Sequence, residues 1–238
     1  DLNLIGPGED GETRMEVKGG QNEYAIMGFF GRINYDYKGI YLLEFNGRYD
    51  GSSRFPSNSK WAFFPSMSAG YRFSEEAYWQ KLRNTVSNGK LRFSYGQIGN
   101  ESVNLNDFPY MEAIGAINPS TVTWLNSANS RVNQFGMPSW VSSSLTWERI
   151  ETIDLGIDLG FLNDQITVGF DWFQRTTKDM LAPGVAVAPF VGASSPLTNA
   201  GSLRTRGWEF TVSWRKQFNK DLGLYASFNI GDAKTTIT

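Results

Sequence analysis

From Tyr41 to Asp50 the chain alternates without a break, with Tyr41, Leu43, Phe45, Gly47 and Tyr49 on one side and Leu42, Glu44, Asn46, Arg48 and Asp50 on the other. Successive side chains of an extended strand point to opposite faces, so this segment is a ribbon with one greasy face and one charged face. A second strand precedes it from Gly28, and Lys38-Gly39 between them reads as a tight hairpin turn. Soluble sandwiches and membrane barrels both alternate in this way, so strand length and the content of the polar face must separate them. Trp61 to Phe73 is twelve steps. At roughly 3.3 Å per residue and a tilt of ~45°, that is about 40 Å of strand and about 28 Å of height, the size of a barrel's apolar band with its girdles.

Within that stretch Trp61, Phe63, Pro65, Met67, Ala69, Tyr71 and Phe73 share a face, with aromatic residues near both ends as in two interfacial belts. The other face, Ala62, Phe64, Ser66, Ser68, Gly70 and Arg72, is too polar for a sandwich core and suits a wet lumen. Pro65 lacks a ladder donor, and a bulge or local break is expected there. The same rule repeats at Leu91–Tyr95, Ile153–Leu159, Ile166–Trp172, Trp208–Trp214 and Leu222–Ile230, giving about eight strands. The fold class is all-β: an antiparallel transmembrane barrel, or a part of one.

The expected connections are Lys38-Gly39, Ser52–Lys60, Ser74–Gly89, Gly99–Thr146, Asn163-Asp164, Lys178–Leu203 and Phe218–Asp221. Every second one is long, matching short periplasmic turns and long outer loops. Ser74–Gly89 breaks the rule; Ser74 followed by Glu75 and Glu76 suggests a helical turn through Trp79 and Leu82. In the longest loop Phe108, Tyr110, Trp124, Phe135 and Trp140 stand among Asn and Ser, a set suited to a small local core or to stacking on a ligand. Arg54 and Phe55, in GSSRFPSNSK, are open to ligand or lid contact, with loop architecture the favoured role. Asn199-Ala200-Gly201 reads as a turn, with Gly201 supplying a positive φ.

The chain has no His and no Cys, which removes Ser-His-Asp triads, Cys nucleophiles and the usual zinc, haem and iron–sulfur ligands. No cofactor, no metal and no catalytic residue is expected. Lys and Arg total 22 against 24 Asp and Glu, scattered along the chain, so no nucleic-acid partner is expected. Glu44, Asp50, Asp154, Asp158 and Asp171 invite a paired acid–base reading for glycan cleavage, but Arg48, Arg72 and Arg92 share their face and charged lumens are ordinary. Glu9-Asp10-Gly11-Glu12 is acidic without the ligand spacing of a calcium loop.

The strings FFGRINYDYKGIYLLEFNGRYDGSSRF, WAFFPSMSAGYRFSEE, LRFSYGQIGN, FDWFQRTTKDML, GASSPLTNAGSLRTRGWEFTVSWR and FNIGDAKTTIT resemble the SusC/RagA-type TonB-dependent transporters of Bacteroidetes. The resemblance runs from about Phe29 to the last residue, and GRYDGSSRF with NAG and GWE is a specific combination. One departure is Ser142-Ser143 before Leu145, Thr146, Trp147 and Glu148, where the family often has Asn-Pro. The resemblance implies a 22-stranded outer-membrane barrel plugged by an N-terminal domain, capped by a SusD-like lipoprotein and driven through a TonB box. It also implies import of glycans or oligopeptides, with outer-membrane lipid around the barrel. Residues 1–238 then form part of one barrel domain, with plug, TonB box and the remaining strands elsewhere, and the ending TTIT places the true end further on. Arg54, Phe55, Phe108, Tyr110, Trp124 and Trp140 are the candidates for ligand or lid contact. The competing readings are a complete small outer-membrane barrel acting as adhesin or enzyme, and a secreted carbohydrate-binding β-sandwich.

Overall fold

The computed structural model describes residues 3–5, 16–18, 23–101, 108–112, 114, 116–117, 134–136, 138, 140–142, 144–184, 186, 188 and 195–238. Two short strands, β1 (Asn3–Ile5) and β2 (Glu16–Lys18), pair with each other. The main sheet contains β3 (Ile26–Tyr37), β4 (Tyr41–Ser52), β5 (Trp61–Tyr71), β6 (Val86–Asn100), β9 (Glu148–Phe161), β10 (Ile166–Pro183), β11 (Leu197–Gln217) and β12 (Gly223–Ile237). A small ladder, β7 (Ala116–Ile117) with β8 (Gln134–Phe135), lies in the long connection between β6 and β9. The eight long strands form one antiparallel up-and-down sheet in the order β12-β11-β10-β9-β6-β5-β4-β3. Among the described residues the sheet does not close on itself, because β3 pairs only with β4 and β12 only with β11. Among the described residues no helix is long and apolar enough to cross a membrane.

The registers carry the alternation from strand to strand. Ile33 faces Phe45, which faces Met67; Phe93 faces Leu155, which faces Trp172, which faces Trp208. One face is therefore a continuous apolar band. The opposite face gathers Asn34 with Glu44 and Ser68, and Arg92 with Gly156 and Asp171. The Lys38-Gly39 turn is as the sequence predicts: both residues take positive φ, 58° and 65°, and Ile40 N donates to Tyr37 O at 3.0 Å. That mirror-image turn matches the twist of the flanking strands. At the same end, Asn219 Oδ1 accepts from the backbone N–H of Asp221 and Leu222 to close the β11–β12 turn.

Four details correct the sequence reading. Pro65 makes no bulge against β4, where it faces Gly47 in an unbroken register. The β5–β6 ladder instead stops at Ser66 opposite Gly96, so the break falls on the β6 side, where the missing N–H costs no ladder bond. Ser74–Gly89 is shorter than expected: Phe73–Glu75 and Ala77–Trp79 form two 3-10 turns, and β6 already begins at Val86. Half of the expected loop from Lys178 to Leu203 is strand, since β10 continues to Pro183 and β11 starts at Leu197. Gly201 lies inside β11 opposite Met180, and the positive φ belongs to Asp179, 57°, at the irregularity between Thr177 and Met180.

Candidate functional site

The polar face is organised by arginines. Arg92 Nε donates to Asp158 Oδ2 at 2.7 Å, and its Nη2 lies 2.8 Å from Asp171 Oδ1, so one guanidinium bridges carboxylates from two neighbouring strands. Arg48 Nε donates to Asp50 Oδ2 at 2.6 Å. Arg32 Nε donates to Asn46 Oδ1 at 2.7 Å, and Asn46 Nδ2 donates to Glu44 Oε1 at 2.8 Å. Arg72 sits at the short-turn end, where it donates to Gly39 O and pairs with Glu75. Asp50, Asp158 and Asp171 are thus neutralised by guanidinium groups, and Glu44 is held in a hydrogen-bonded chain. A wall of this kind tolerates water and charged solutes.

At the long-loop end, entry of the chain into β9 and the 53–60 loop build the one apolar cluster of this face among the described residues: Phe55, Ala62, Phe64 and Trp147. Phe55 is 1% exposed and its ring centroid lies 5.0 Å from that of Trp147, which is 3% exposed and meets Phe64 edge-on at 5.6 Å. Trp147 Nε1 donates to Lys60 O at 3.2 Å, which satisfies the buried indole and ties β9 to the loop. Asn199 supplies a second tie. Its Oδ1 accepts from Thr146 N, and its Nδ2 donates to Thr146 O and Asp179 O.

Of the residues singled out from the sequence, four come together here. Phe55 faces inward into the cluster, while the Arg54 guanidinium lies over the Tyr24 ring at 4.2 Å. Tyr110 Oη donates to Ser53 O at 3.5 Å, and Phe108 packs edge-on against Tyr110 at 6.4 Å. Trp140 is 47% exposed. Trp124 and the acidic run Glu9–Glu12 lie outside the described residues. Trp147, Phe64, Leu145 and Asn199 are absent from the sequence-based candidates for ligand or lid contact; the spacing of Leu145 and Trp147, two apart at the entry to β9, is the signal that could have marked a buried face.

The family profile described as "TonB dependent receptor-like, beta-barrel" matches residues 5–237. The chain belongs to this family of TonB-dependent receptor β-barrels. It is 31% identical over 226 residues to TonB-dependent receptor P3 of Formosa agariphila, covering 95% of this chain and 22% of that receptor. It is 32% identical over 220 residues to TonB-dependent receptor SusC of Bacteroides thetaiotaomicron, covering 88% of this chain and 21% of SusC. The RagAB peptide importer in its open-open state superimposes with a TM-score of 0.77 at 26% identity, over 97% of this chain and 24% of that one. This TonB-dependent receptor chain spans about a fifth of the length of the curated relatives it matches. Its open-edged sheet is accordingly a sector of a barrel with more than eight strands.

Proposed function

We propose that this chain is part of the barrel wall of a SusC/RagA-type importer in the bacterial outer membrane. The importer takes up large nutrients, glycans or oligopeptides, beneath a SusD-like surface lipoprotein. All 238 residues belong to one barrel domain, and the plug, the TonB box and the remaining strands lie in sequence outside them. Energy enters through the TonB complex acting on that outside sequence. The apolar band faces lipid, the arginine–carboxylate face lines the lumen, and the long-loop end faces outward. There Arg54, Phe108, Tyr110 and Trp140 meet ligand or lid, while Phe55 holds the 53–60 loop from within. The chain performs no chemistry of its own.

The observation that carries this reading is 32% identity to SusC across 88% of the chain, with registers that keep an apolar and a polar face apart over eight strands. A self-contained small barrel or a sandwich is disfavoured by the two open edges, since an unpaired strand edge is not viable in lipid and invites association in water. The test is purification of the native polypeptide from outer membranes in detergent, followed by binding of labelled oligosaccharides and oligopeptides. The expected product is a polypeptide four to five times this chain's length, because 226 matched residues are 22% of the relative, with a lipoprotein bound. A detergent-free soluble protein of 26.7 kDa overturns the proposal.

A further inference from the structure

The connection between β5 and β6 does not hang beneath the lumen. Tyr41 and Tyr71 belong to the apolar face, stack at 5.2 Å, and project their hydroxyls past the end of the sheet. Tyr41 Oη donates to Glu76 Oε1 at 2.7 Å, and Tyr71 Oη lies 2.8 Å from Tyr78 Oη. Phe73 lies over Gly89, on the side where a Cβ would project: any side chain there would overlap the Phe73 ring. Gly89 shares its face with Leu91 and Leu159, again the apolar one. Trp79 packs edge-on against Phe73 at 4.8 Å, and its Nε1 donates to Val86 O. The Tyr41–Glu76, Tyr71–Tyr78 and Phe73–Gly89 contacts hold the connection against the apolar face, while Arg72–Glu75 ties its start to the polar face.

The contacts leave Tyr78 63% exposed and Leu82 51% exposed, next to the exposed Lys81 and the Arg83–Glu75 pair. An aromatic residue with a polar tip, a neighbouring leucine and flanking cations form the set that settles between acyl chains and head groups. Anionic lipid adds attraction for the cations. We infer that the 72–85 connection is a membrane-interface foot, inserting Tyr78 and Leu82 into the phospholipid head-group layer of the leaflet at the short-turn end. Continuity with the lipid-facing band names the occupant. The surface continues the Tyr37, Tyr41 and Tyr71 girdle through the Tyr71–Tyr78 contact.

The inference rests on the outer-membrane barrel reading, and the experiment separates the two. In the full-length protein reconstituted into phosphatidylethanolamine–phosphatidylglycerol vesicles, single cysteines replace Leu82, Phe45 or Lys220 and carry an environment-sensitive fluorophore. Vesicles containing head-group-nitroxide lipid should quench the Leu82→Cys label at least about threefold more than the Lys220→Cys label, which sits on an ordinary turn at the same end. Lipid brominated along the acyl chain should quench the Phe45→Cys label. A Phe45 label that brominated lipid leaves unquenched overturns the barrel reading and the foot with it. A quenched Phe45 label with a Leu82 label reached only by aqueous iodide overturns the foot alone. A Leu82 label shielded from both lipid and iodide assigns the surface to a protein contact and also overturns it.

Discussion

Replacing Phe45 by Arg tests which face of the sheet meets lipid. Phe45 lies on β4 between Ile33 and Met67 in register, midway between the Tyr41–Tyr71 stack and the Tyr49–Trp61 stack, whose centroids are 5.2 and 5.1 Å apart. Four residues separate it from each girdle; at roughly 3.3 Å per residue and a tilt of ~45°, each girdle is about 9 Å away in height. Phe45 is therefore close to the middle of the apolar band, where an arginine costs roughly 2–4 kcal/mol. Ser68 is the control: it lies one residue along β5 from Met67, on the opposite face, directly across from Glu44. Ser68→Arg places its guanidinium in the charged lumen and should cost less than about 1 kcal/mol. Denaturant titration of the full-length barrel in vesicles should give a folding equilibrium roughly 30- to 700-fold weaker for Phe45→Arg, from tenfold per 1.4 kcal/mol. Equal shifts for the two variants, or a larger one for Ser68→Arg, would refute the facing deduced from the registers.

Trp147→Ala removes the centre of the Phe55–Phe64 cluster and the bond to Lys60 O; a loss of about 3–5 kcal/mol is expected, read as faster proteolytic cleavage at Arg54 or Lys60. Unchanged cleavage would show that the loop is held by other contacts. Asn199→Ala strands the N–H and C=O of Thr146 and should destabilise the entry to β9 by roughly 1–3 kcal/mol, visible as faster amide exchange at Thr146; unaltered exchange would contradict the tie. Gly39→Val forces a branched side chain into φ 65° and should cost roughly 1–2 kcal/mol, whereas Lys38→Asn should be neutral or favourable because Asn tolerates that region. Equal stability of the two turn variants would count against a mirror-image turn.

The sequence is legible where the two faces of a strand meet different solvents, and it loses legibility where they do not. Tyr41–Asp50 and Trp61–Tyr71 cross an apolar band with a wet interior behind them, so alternation marks both the strand and its facing. Beyond Thr177 the ladder between β10 and β11 continues, but Lys178 pairs with Glu151 at 2.7 Å on the side that is apolar lower down. With water on both faces there is no period to see, which is why the upper ends of β10 and β11 read as loop. The rim fails for another reason. Asn199 has the composition of a turn, yet its partners Thr146 and Asp179 lie far away in the chain, and hydrogen bonds of that range leave no local pattern.

The lumenal charges show how register decides between chemistries that sequence leaves equivalent. Asp154, Asp158 and Asp171 on one face fit a hydrolytic pair as well as a solvated wall until the position of Arg92 is known. Arg92 stands opposite Gly156, which in turn stands opposite Asp171. A Cβ on Gly156 would lie 2.8 Å from Arg92 Cζ, so only the bare glycine lets the guanidinium cross β9 and reach Asp171 while still holding Asp158. A one-residue slip of β6 against β9 would turn Arg92 to the lipid side and leave both carboxylates without their cation. The arginine bridge and the lipid-facing band are therefore consequences of one register. Each supports the assignment of the other.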